Sequence, residues 1–151
     1  MKPVIWTKKY LWLCLTKAES NYISSMEMDF ERVITFINEL YGSYFKLKEI
    51  HWNTYSKSLH LLIDDINDDL LEYIDDITEN IMGLNDSRFG YGIINPNIPN
   101  TTDPKEILKV LAAKAEYLKS GMTAGRYSGI VNILDDFAQT MNRYIYLSSD
   151  R

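Results

Sequence analysis

The sequence predicts an all-α protein, a four-helix bundle with one long crossover between its second and third helices. Two observations carry that reading. Apolar residues recur at three- and four-residue steps through four segments, the spacing of one face of a helix. A Gly- and Pro-containing stretch, residues 84–103, separates the second segment from the third and forbids a continuous helix there.

Helix A is expected over 27–54. Phe30, Val33, Ile34, Ile37, Leu40, Tyr41 and Tyr44 form its inward face, and His51 continues it. Gly42 lies inside the pattern and weakens it a little. Helix B is expected over 58–83, capped by Ser56 or Ser58 and ended by Gly83. Its Leu59, Ile63, Ile66, Leu70, Ile74, Ile77 and Ile81 fall in a stripe about 80° wide. Asp64, Asp68, Glu72, Asp75 and Glu79 fall in a second stripe on the opposite side. At 1.5 Å per residue helix B is roughly 40 Å long, and an extended twenty-residue loop spans up to about 66 Å. The loop is therefore long enough to run back along the bundle, leaving helix C parallel to helix B. Asp103-Pro-Lys-Glu106 supplies a cap, a first-turn Pro and an acid three residues after the cap. Helix C then carries Ile107, Leu108, Val110, Leu111, Ala115 and Leu118 as far as Gly121. Helix D starts between Thr123 and Ser128 and carries Ile130, Ile133, Leu134, Phe137, Met141, Tyr144, Ile145 and Leu147.

At 151 residues the chain is one domain by length, divided into an N-terminal segment 1–26 and a bundle 27–151. The net charge of −5 argues against a surface that is basic all round. Residues 1–26 carry Lys2, Lys8, Lys9 and Lys17 among Trp6, Tyr10, Trp12 and Leu15. They are expected to dock on the body or on a neighbour, or to act as a basic arm on DNA. The single Cys14 allows no intrachain disulfide and suits a reducing compartment. No apolar run reaches the length of a membrane span, and the apolar run from Tyr10 to Leu15 is too short for a signal core. A cytoplasmic location is the expectation.

The chemistry concentrates between His51 and Glu79. An acidic face opposite an apolar one is ordinarily a solvated face. Here no Lys or Arg is interleaved from Ser58 to Asn85, and His60 sits one turn before Asp64. His51, His60, Asp64, Asp75 and Glu79 offer mixed imidazole and carboxylate ligands, a set that suits iron and related divalent metals. Asp64 and Asp75 lie about 16 Å apart along one helix, too far to share an ion. A site using all five becomes natural if helix B meets a two-fold copy of itself antiparallel, so that His51, His60 and Asp64 face Asp75 and Glu79 of the other copy.

This segment resembles the Dps family of mini-ferritins, in which a helix-A His-Trp pair precedes His-x3-Asp-x10-Asp-x3-Glu on helix B. Here the pair is His51-Trp52 and the run is His60-x3-Asp64-x10-Asp75-x3-Glu79. With the long crossover, the resemblance extends over 27–149. It implies a ferritin-like bundle assembled as a hollow dodecamer, with inter-subunit ferroxidase sites that oxidise iron(II) with hydrogen peroxide and store the ferric product, protecting DNA. It implies that His51, His60 and Asp64 bind iron from one subunit and Asp75 and Glu79 from its partner, with Trp52 beside the site as an electron donor. The chain departs from the family in a shorter loop between His51 and His60 and in a shorter helix C. Asp135 and Asp136 stand in for the acids that usually line iron-entry pores. The alternative expectation is a non-catalytic ferritin-like assembly with a vestigial or structural metal site.

Overall fold

The computed structural model describes residues 16–149, apart from the side chains of 22–25, 27 and 28. Among the described residues four α-helices carry the fold: α1 (Lys17–Asn53), α2 (Lys57–Leu84), α3 (Pro104–Ser120) and α4 (Ser128–Ser148). A single 3-10 turn, Gly125–Tyr127, leads into α4. No strand occurs among the described residues, so the all-α expectation holds.

α1 begins ten residues before the expected start at 27. The reason is a capping box: Thr16 Oγ1 accepts from the Glu19 N–H at 3.2 Å, and Glu19 Oε2 accepts from the Thr16 N–H at 2.8 Å. The boundary drawn at 26/27 therefore falls inside a continuous helix. Residues 1–15, including Lys2, Lys8 and Lys9, lie outside the described residues.

α1 packs against α2 and α3, and α4 packs against α3 and α2. Ile63, Ile66, Leu70, Ile74, Ile77 and Ile81 of α2 are all buried, as their stripe requires. Each such side chain contributes about 1.5–3 kcal/mol relative to exposure. From α1 they meet Val33, Phe36, Ile37, Leu40 and Leu47. Phe36 and Leu47 were not on the expected face, whereas Tyr41 and Tyr44 are half-buried. α4 contributes Ile130, Leu134, Phe137, Met141 and Tyr144, and Phe137 receives Phe36 and Tyr73 edge-on at 5.6 and 5.1 Å. Val110, expected inside, is exposed.

The helix-free stretch 85–103 lies along α1. Phe89 packs edge-on against Phe30 at 4.7 Å. Further on, Asn38 accepts from the Asn95 and Asn97 N–H groups, through Oδ1 at 2.7 Å and its carbonyl at 3.0 Å, and its own Nδ2 donates to the Ile93 carbonyl at 3.0 Å. Glu39 Oε1 accepts from Asn97 Nδ2 and from Lys114 of α3. At Gly42 the strap touches the helix so closely that a Cβ would sit 1.8 Å from the Asn97 carbonyl oxygen. Thr102 and Pro104 arrive beside Lys46, Ile50 and Thr54, so α3 starts at the end of the molecule where α2 also starts. Asp103 caps α3 by accepting from the Lys105 N–H, as expected. Glu106 does not reach back to the cap backbone; it accepts from Thr101 Oγ1 instead. At this same end Ser56 caps α2, which runs through Gly83 to Leu84.

Candidate metal centre

The link between α1 and α2 is three residues, Thr54-Tyr55-Ser56, and it fixes how the two helices face each other. Thr54 N–H donates to the Ile50 carbonyl and closes α1. Ser56 N–H donates to Thr54 Oγ1, and Ser56 Oγ accepts from the Leu59 N–H to open α2. So tight a turn brings the last turn of α1 directly against the first turn of α2.

His51 and His60 occupy those two turns. Their rings stack at 3.7 Å with planes 20° apart. The contact is reciprocal: His51 Nδ1 lies 2.8 Å from the His60 carbonyl oxygen, and His60 Nδ1 lies 3.0 Å from the His51 carbonyl oxygen. A carbonyl only accepts, so each Nδ1 carries a hydrogen and each neutral ring keeps its lone pair on Nε2. The His51 carbonyl is among the last four of α1, which no intrahelical donor serves, so His60 also caps that helix end. This is how an imidazole is commonly held as a metal ligand, one nitrogen tied to backbone and the other offered.

Asp64, one turn beyond His60, completes the group. One ligand atom from each of His51, His60 and Asp64 falls within 4.8 Å of the others. His51 is buried, and the other two are partly exposed. Asp64 Oδ1 lies 3.5 Å from His51 Nδ1 and 3.2 Å from Lys48 Nζ. The Lys48 hydrogen bond, more than any other cause, holds the Asp64 carboxyl below its usual range. Partial desolvation opposes it, and the charge of Lys48, with that of either histidine when protonated, adds to it. Two imidazoles and a carboxylate so placed could hold a metal ion.

Three of the five expected ligands thus come together, and the shorter loop draws His51 and His60 into contact. Asp75 and Glu79 are exposed on α2 and stand outside this group. Trp52 follows His51 in the chain with its side chain 70% exposed. Asp135 and Asp136 have partners of their own: Lys119 Nζ lies 2.8 Å from Asp135, and the Tyr73 hydroxyl donates to Asp136 at 2.5 Å.

Lys48 is the residue that sequence reasoning missed. The signal existed in the register. Once His51 faces His60 across an antiparallel pair, the residue one turn before His51 faces the residue one turn after His60.

The chain matches no family model, no curated protein and no solved structure with which it was compared. The described residues define an all-helical chain bearing one three-residue cluster competent to hold a metal, and no described helix is long and apolar enough to cross a membrane.

Proposed function

We propose that the chain is a Dps-like ferroxidase and iron store, a ferritin-like four-helix bundle acting in the cytoplasm as a dodecamer. The observation that carries this reading is the convergence of His51, His60 and Asp64, with both Nδ1 atoms tied to backbone carbonyls. Iron(II) is the substrate. His51 and His60 bind it through Nε2 and Asp64 through its carboxylate. Asp75 and Glu79 of a second copy complete the site when α2 meets its two-fold mate. Two iron(II) ions each give one electron to a hydrogen peroxide, whose O–O bond breaks. With two further waters the products are two ferric oxyhydroxide units and four protons. Trp52, exposed next to His51, supplies an electron to any radical that escapes. Removing iron(II) and peroxide together protects DNA, which Lys2, Lys8 and Lys9 would hold nearby.

The test is stopped-flow ferric absorbance after adding iron(II) and then peroxide to the purified protein. A fast rise is expected, and it should be lost in the double variant His51→Ala, Asp75→Ala. A double variant that keeps wild-type assembly and an unchanged rate overturns the reading.

The Lys48–Asp64 contact favours a second reading, in which the cluster only clamps the helix ends of a non-catalytic assembly protein. That reading predicts intact oligomers, measured by native mass spectrometry, with no bound metal after iron(II) loading.

A further inference from the structure

The carboxylate of the metal-competent cluster already has a cation. Lys48 Nζ lies 3.2 Å from Asp64 Oδ1, the same oxygen that lies 3.5 Å from His51 Nδ1. The Lys48 side chain is 30% exposed, so most of it lies along the protein surface and its ammonium is delivered to one place. The two histidine Nδ1 atoms instead lie on backbone carbonyls, and that of His51 also faces Asp64 Oδ1. Among the three ligand side chains, only the anionic one is neutralised by a positive side chain.

We propose that Lys48 is a built-in counter-cation of this site, which holds Asp64 in the metal-free protein and competes with a divalent ion for it. This rests on the metal-binding reading given above and deepens it. An incoming dication meets an ammonium on its only carboxylate from this chain. Either the two positive charges sit within a few ångströms of each other, or Lys48 swings away into solvent. Both cost free energy, and the cost lowers metal affinity. Lys48 thereby sets the threshold at which the site loads, while His51 and His60 stay fixed by contacts that metal binding does not need to break. In the empty site Lys48 also prevents Asp64 from standing unpaired at the head of the acidic stripe of α2.

The experiment is an anaerobic titration of the full-length protein with cobalt(II), followed by its visible absorption, on wild type, Lys48→Met, Lys48→Arg and Asp64→Asn. Far-UV circular dichroism checks that each variant is folded. Lys48→Met is expected to bind cobalt(II) about tenfold or more tightly than wild type, because the competing charge is gone while the hydrocarbon stem is kept. Lys48→Arg, which restores the charge, is expected to return affinity to within about threefold of wild type, and Asp64→Asn to abolish binding. A Lys48 that merely braces the helices would give weaker binding on removal, so a gain separates competition from support. Unchanged or weaker binding in Lys48→Met overturns the proposal, as does an absence of cobalt(II) binding in both it and wild type. Failure of the ferroxidase reading shows differently: Lys48→Met tightens cobalt(II) binding, yet neither protein oxidises iron(II) with peroxide.

Discussion

Gly42→Ala is the sharpest test of how the strap 85–103 is held. In an ordinary helix interior this change stabilises by about 1 kcal/mol. Here the new Cβ would meet the Asn97 backbone, at 1.8 Å from its oxygen, 2.2 Å from its carbon and 2.9 Å from its nitrogen. Backbone atoms cannot rotate aside, so the strap must lift by roughly 1.5 Å to reach ordinary contact. Four hydrogen bonds fix it beside this point: Asn97 N–H to the Asn38 carbonyl, Asn95 N–H to Asn38 Oδ1, Asn38 Nδ2 to the Ile93 carbonyl, and Asn97 Nδ2 to Glu39. Losing two to four of them at about 1 kcal/mol each outweighs the helix gain and leaves a net loss of about 1–3 kcal/mol. Gly83 is the control. It is also helical, and nothing lies within 4 Å of its would-be Cβ, so Gly83→Ala should stabilise by up to about 1 kcal/mol. Urea unfolding of both variants gives the two numbers, and limited proteolysis within 85–103 reports the lifted strap. If Gly42→Ala is as stable as wild type, or gains stability alongside Gly83→Ala, the close approach does not constrain the fold.

Other outcomes follow from single contacts. Ser56→Ala removes the acceptor for the Leu59 N–H at the start of α2 and should cost about 1 kcal/mol in urea unfolding. Phe137→Ala removes the ring on which Phe36 and Tyr73 rest and should cost about 3–5 kcal/mol by the same measurement. Burial, and then the hydrogen bond to Asp136, push the Tyr73 hydroxyl up to about 12, against an ordinary value of about 10. Its contribution is complete below pH of about 10 and is lost between there and about 12, as the unfolded chain ionises first. Thermal melts across that window should therefore fall less steeply with pH in Tyr73→Phe than in wild type. Tyr144, pushed up by burial and by its bond to Asp69, adds to the same alkaline loss.

The fold was most legible where one residue type repeats at one spacing. The isoleucines of α2 leave no other face to bury, and all of them are buried. α1 was less legible at its start because its stabilising signal there is polar. The apolar stripe begins near Phe30, but Thr16 and Glu19 close a capping box well upstream of the core. Its inner face was also displaced. Tyr41 and Tyr44 fit the apolar count but keep their rings half out, and Phe36 and Leu47 take the interior. Val110 fits the α3 spacing yet faces out, because Ile107, Leu108, Leu111, Ala115 and Leu118 already cover the contact with α1 and α4. In the site, His60 and Asp64 were legible as neighbours one turn apart on one helix. Lys48 was not, since its place depends on the register between two helices, and that register is set by the length of the link.

That register also decides what α1 and α2 can do alone. Pairing runs from His51 against His60, through Lys48 against Asp64, to the Tyr44 carbonyl, which accepts from Asn67 Nδ2 at 3.4 Å. Continued at the same pace, the α1 residues level with Asp75 are Phe36 and Ile37, which are buried and apolar and offer no ligand. The chain has two histidines, and both stand at the turn between α1 and α2. Within one chain, therefore, Asp75 and Glu79 have no imidazole to join. They can share an imidazole-bound metal only with another copy whose α2 runs the opposite way. With one Nε2 lone pair on each ring, the pair can hold at most two imidazole-bound ions per chain. Any larger iron content must be mineral or carboxylate-bound, and in the ferroxidase reading that mineral forms by way of the His51 site.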